Sequence, residues 1–198
     1  MATKQYTKGL QKLLAPRVDP DTGDDLLPET FVDLLGDDLC FALVNVNEPD
    51  GDDGGAYEVN FNAHEYLSDV AGVGNGPVWT SGSYSHITKH SAPLSLKTLT
   101  VVTAIGGVGS EVMFDCDDET LSQVPDEAPK SEAIVLYKRV FLDSLPVPGD
   151  LEDPSNIDLE KSPLVAYFDG ASVALDPNGN DVEVVISGNG LMRWGIGA

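Results

Sequence analysis

The residues closest to a chemical constellation are His86 and His90, four apart in the segment SYSHITKHS. Such a pair holds zinc when a helix stacks it on one face and a third ligand completes the set. This segment has no helical apolar period, and no Cys, Asp or Glu stands close by. The acidic clusters raise the question of calcium, whose loop needs alternating acids, a central glycine and Glu at the twelfth position. Counted from Asp19, Asp50 and Asp176, that position falls on Thr30, Phe61 and Ser187. These clusters read as turns, which Asp and Asn favour by bonding their own backbone. A looser oxygen-ligand site at 50–53 or 115–119 stays open. Gly82-Ser83-Tyr84 lacks the second glycine of a nucleophile elbow, and Gly106-Gly107-Val108-Gly109 lacks the lysine of a phosphate loop. No catalytic residue, metal ligand or cofactor is assigned, and nothing requires an enzyme.

The elements that would position such groups are mostly strands. Tyr6, Leu10, Leu13 and Leu14 share one face of a short helix that Pro16 ends, with Lys4, Lys8 and Lys12 on another face. Residues 28–35 and 63–70 each suit a helical turn. Strand signals run over 39–46, 57–61, 94–102, 111–114, 133–137, 164–168, 181–186 and 191–194, separated by Gly, Pro and Asp turns. The expectation is an all-β chain: a single antiparallel β-sandwich or jelly-roll-like domain with a short N-terminal helix. Residues 1–17 would form a basic arm and 18–198 an acidic body. A long acidic loop at 141–162, holding Pro146, Pro148 and Pro154, reads as a binding loop or insertion.

The chain has 198 residues and a net charge of −22, from 33 acidic and 11 basic residues, with only 8 lysines. Residues 1–17 hold Lys4, Lys8, Lys12 and Arg17 and no acid, a local +4 against −26 for the rest. That stripe either docks on an acidic neighbour or is the solvated face of an ordinary helix. The spread of acids over nearly every loop fits adaptation to molar salt, where a hydrated acidic surface keeps a protein soluble. No apolar stretch approaches a membrane span, and the first residues do not read as a secretory signal. Cys40 and Cys116 have no metal spacing, and reduced, buried thiols are the simpler reading.

Four segments follow one another in a recognisable order. They are 131–138 (SEAIVLYK), 162–169 (SPLVAYFD), 175–182 (LDPNGNDV) and 189–194 (NGLMRW). This order resembles a family of small virion structural proteins encoded among the head and tail genes of tailed double-stranded DNA viruses. In that family a strand ending in Tyr-Lys, a "SPLIAY-D" strand, a "PNGGD" turn and an "NGIF" strand occur in series. More faintly, 6–14 resembles its opening helix and 63–70 (AHEYLSDV) its "THEFLSDI" piece. The motif residues are fold signals: Tyr137 and Tyr167 at strand ends, Asn178 and Gly179 for a turn with positive φ, Trp194 closing the sheet. The resemblance, with the acidic surface, implies a non-enzymatic subunit of a haloarchaeal tailed virus, assembled in the host cytoplasm into the virion. Its partners would be the major capsid protein or other virion proteins and further copies of itself, with no membrane and no direct nucleic acid. A capsid decoration or cement protein is the first expectation. A neck, tail or baseplate component and a turret or fibre domain contacting the host surface are the alternatives.

Overall fold

Three apolar runs that lack strict alternation form the centre of the molecule, and their lack of alternation has a structural cause. The computed structural model describes residues 2–18, 21–24, 27–45, 59–72, 78, 80, 86–105, 107–128, 130–142, 154–169 and 178–196. Its elements are β1 (Ala2–Gln5), α1 (Thr7–Leu13), β2 (Leu39–Val44), α2 (Ser68–Ala71), β3 (Ile87–His90), β4 (Thr98–Thr103), β5 (Ser110–Asp115), β6 (Glu119–Leu121), β7 (Ala133–Lys138), β8 (Leu164–Asp169), β9 (Val182–Val184) and β10 (Met192–Ile196). A five-stranded antiparallel sheet runs in the order β1-β8-β7-β2-β3. A three-stranded sheet, β10-β5-β4, and a two-stranded one, β6-β9, complete the set.

Every residue of β2 and β7 is buried, so both faces of the central sheet are covered. That is why LCFALV and AIVLYK read as continuous apolar runs, the pattern of strands with no wet face. Successive side chains point to opposite faces. Leu39, Phe41, Leu43, Ile134 and Leu136 enter one core with Phe114 and Met192 of the second sheet and Leu121 and Val184 of the third. Cys40, Ala42, Val44, Ala133, Val135 and Tyr137 enter the other, with Tyr6, Leu67, Val70 and Ile157. The protein is therefore an antiparallel β-sandwich with a short N-terminal helix, carrying an extra layer on the outer face of its larger sheet. Full burial of one large apolar side chain such as Phe41 contributes about 1.5–3 kcal/mol, so this doubly covered sheet dominates stability.

The first residues are not an appendage. Residues 2–5 pair with Gln5 opposite Ala166 and Ala2 opposite Asp169 as an edge strand of the main sheet. Tyr6 is fully buried, stacked near Phe61 with ring centroids 5.5 Å apart. This corrects the reading of 1–17 as a basic arm beside the body: it is a strand and helix within the body. Two further short strands, β3 and β6, were not expected, because ITKH and ETL carry too little apolar patterning to announce themselves. Residues 94–102 contribute a strand only from Thr98, since Leu94 turns into the core and Leu96 takes a positive φ of 44°. Residues 59–61 are not strand, and the helical turns narrow to Pro28–Thr30 and Ser68–Ala71. Of the 141–162 loop, 143–153 lie outside the described residues, as do 50–53, Ser83, Gly106 and 170–177. The loop's described end is tied down by a Phe141–Ile157 bridge and by Ser162, whose hydroxyl donates to Asp158 O at 2.8 Å and accepts from Val140 N at 3.0 Å.

Candidate functional site

The four cations expected to bind a partner do not form a common outward patch. Lys12 is buried, its ammonium 3.0 Å from Glu65 Oε1 and donating to Tyr66 Oη at 3.1 Å and to Glu29 O. Lys4 lies on β1, 3.3 Å from Asp169, and Arg17 lies 3.7 Å from Asp33. Lys8, half-buried on α1, adds a coulombic pull on Glu65. Burial raises the Glu65 carboxyl, but hydrogen bonds from Lys12 and Tyr66 and the charge of Lys12 outweigh it and hold the group below its ordinary value. Of the four, Lys4 and Arg17 keep most of their side chains in solvent, while Lys12 is an internal fastener.

The same holds for other cations. Lys138 is buried on β7, 2.9 Å from Asp37, donating to Phe31 O and sitting 4.2 Å over the Phe31 ring. Arg139 meets Asp38 at 3.1 Å and Lys97 donates to Asp37 O. These contacts stitch residues 29–38 across the sandwich edge. Lys12 and Lys138 are the buried cations among the described residues.

The fold-signal residues are positioned as follows. Tyr137, fully buried, bonds His90 Nδ1 at 2.9 Å, and burial drives its phenol well above the ordinary range. It stands next to the end of β7, whereas Tyr167 is inside β8 rather than at its end. Burial, then Asp169 and Glu132, push the Tyr167 phenol up to about 12. Gly179 has φ +77°, and Asn178 Oδ1 accepts from Asn180 N at 3.1 Å, so the glycine alone supplies the left-handed residue. Trp194 is on an edge strand, β10.

His90 is thus held by Tyr137. Among the described residues, no three His, Cys, Asp or Glu side chains gather to hold a metal. The acids at 115–118 serve the local backbone: Asp115 accepts from Cys116 N and Asp118 from Ile186 N. Cys40 and Cys116 are free thiols on opposite faces of the main sheet, both pushed up to about 12, chiefly by burial.

The strand signals at 94–102, 111–114 and 191–194 come together as the second sheet, whose exposure the residue patterns do not flag. β4 and β5 form a hairpin in unbroken register from Thr98–Asp115 to Thr103–Ser110. Its tip turns on Gly107 and Gly109, both at positive φ, with Ile105 and Val108 open to solvent. Alternation gives this sheet two faces. Glu111 and Arg193, 3.2 Å apart, mark the outer one. Leu99, Val101, Val112, Phe114, Met192 and Trp194 share the inner one.

Phe114 and Met192 reach the core and Trp194 packs against it, while Leu99, Val101 and Val112 run past it. There it walls an apolar groove of about 590 Å³. The opposite wall is α1, whose apolar face of Leu10, Leu13 and Leu14 turns to the groove, while Gly9 and Lys12 are the helix residues buried against the body. Leu14 is 78% exposed and Val101 65%. Trp194 Nε1 is buried without a hydrogen-bond partner among the described residues. The groove thus lies beside a strand whose outer edge is open. Compared with family models, with curated proteins and with solved structures, the chain finds no match in any of the three.

Proposed function

We propose that this chain is a non-enzymatic structural subunit of a tailed virus particle, bound to the capsid shell in many copies as a decoration protein. The observation that carries an assembly role is the β4–β5 hairpin, with its open strand and the apolar groove at its base. Its virion setting rests on the collinear order of the 131–138, 162–169, 175–182 and 189–194 segments, which resembles head and tail proteins of such viruses. The net charge of −22 fits particles that mature in concentrated salt, where repulsion between acidic neighbours is screened within about 3 Å at 1 M.

The main sheet supplies a rigid platform and the second sheet an adhesive edge. Contacts with the shell would be made by apolar surface and backbone rather than by ion pairs, which molar salt weakens. Counting the chain's peptides against those of the major capsid protein in purified particles tests this reading. A ratio on the scale of the shell's own copy number is expected. A handful of copies per particle would move the chain to the neck, tail or baseplate, and its absence from particles would overturn the proposal.

A further inference from the structure

We infer that β4 is a self-association edge: it pairs antiparallel with β4 of a second copy about a two-fold axis centred on Thr100. This deepens the assembly reading, though the pairing stands or falls independently of any virion.

The case begins with what the other edges carry. Among the described strands, each other sheet edge bears a charged side chain: Lys4 on β1, Lys89 on β3, Arg193 on β10, Glu119 on β6 and Glu183 on β9. β3 is further guarded by a register shift where it meets β2. Such charges and irregularities keep edges from pairing with other chains. β4, Thr98-Leu99-Thr100-Val101-Val102-Thr103, has no charge, no proline, no glycine and no bulge. Five of its six residues are exposed and the sixth is half-buried.

Charge does not bar a second copy at this edge. Two copies at −22 each repel, and the approach that sets no like charges directly opposite is one made through an uncharged strand. The pattern of β4 also complements itself. A two-fold normal to the sheet keeps every side chain on its own face, so residues of equal parity meet. Centring on Thr100 places Leu99 opposite Val101 twice on the inner face, and Thr100 opposite Thr100 on the outer. The two three-stranded sheets become one of six. Each groove wall of Leu99, Val112 and Trp194 then continues into its mate's, beside the exposed Leu14 of each copy.

The pairing sets a geometric test. Directly opposed residues of antiparallel strands have Cα atoms about 4.5–5.5 Å apart, within the roughly 4.4–6.8 Å a disulfide spans. The native thiols are buried and do not compete. In the full-length chain at molar salt, light scattering should give a dimer. Mild oxidation should link Thr100→Cys into a covalent dimer while leaving Val102→Cys, whose opposite number is Thr98, unlinked. Thr100→Lys should give a monomer with an unchanged circular dichroism spectrum. A monomeric wild type, a dimer that Thr100→Cys fails to link, or a Thr100→Lys dimer would each overturn the pairing. A chain present in particles but monomeric in solution would sink the pairing alone, and a dimer absent from particles would sink only the virion reading.

Discussion

Replacing Lys12 with methionine separates a docking lysine from a structural one. Methionine keeps most of the side-chain volume and removes the ammonium, so the cost reports the charge and its hydrogen bonds. All three donors are in use, on Glu65, Tyr66 and Glu29 O, and the lysine side chain is only 9% exposed. Breaking a buried ion pair by removing one partner costs about 3–5 kcal/mol. Glu65 keeps 31% of its side-chain surface in water and can rehydrate, which reduces the expectation to about 2–3 kcal/mol. In a domain of this size each kcal/mol moves Tm by about 2–4 °C, so the variant should melt roughly 4–12 °C lower.

Denaturant unfolding of Lys12→Met, Glu65→Gln and the double variant, at low and molar salt, isolates the pair energy. Acidity supplies a further readout. Glu65 is held below its ordinary value when folded, so its contribution is present above the unfolded carboxylate's titration and is lost as pH falls through the folded value. Variant and wild type should therefore converge in acid. A cost below about 0.5 kcal/mol, or one that molar salt erases, is the behaviour of a surface charge. Either result would refute the internal-fastener account and restore Lys12 as a free docking group.

Gly9→Ala should destabilise although alanine is the better helix former by up to about 1 kcal/mol, because a Cβ there meets the Leu164 carbonyl and overpacking costs about 1–3 kcal/mol. Chemical denaturation fixes the sign, and a gain in stability would mean α1 sits farther from β8. Cys40 and Cys116 should resist alkylation at pH 8 until the chain unfolds; equally fast labelling of native and unfolded protein would contradict their burial. Their raised values make the thiol-linked stability intact below about pH 9 and lost as pH climbs toward 12, which an alkaline melting series checks. Tyr137→Phe should cost about 1–3 kcal/mol by taking the hydroxyl from His90, and a silent substitution in denaturant would show that hydrogen bond to be dispensable.

The centre of the fold was plain in the residues because burial on both faces leaves an uninterrupted apolar signal, as in Leu39–Val44 and Ala133–Lys138. Strands β1 and β3 were not, since ATKQ and ITKH are edge pieces whose place comes from backbone pairing with β8 and β2. The lysines at 4, 8 and 12 suggested one helical stripe. Lys4 belongs to a strand, and Lys12 points inward toward Glu65 and Tyr66, partners 53 and 54 positions away that periodicity cannot reveal. The apolar stripe of Leu10, Leu13 and Leu14 does form one face, yet it faces the groove. Hydrophobic periodicity says that a face wants cover without saying from which molecule. The β4 segment was legible as a strand, but its exposure was not, because an uncharged Thr/Val strand looks the same buried or bare.

The pairing of β1 with β8 orders events during synthesis. Lys4 finds Asp169 across 165 positions, so the first strand waits unpaired until the ribosome has delivered most of the chain. Closing so distant a contact is slow compared with forming a local hairpin. The β4–β5 hairpin needs only residues 98–115 and so closes well before the main sheet is whole. The nascent chain therefore displays its bare edge before its core is sealed. Neighbouring chains on one messenger would meet through that edge first, and early capture by a correct mate competes there with aggregation.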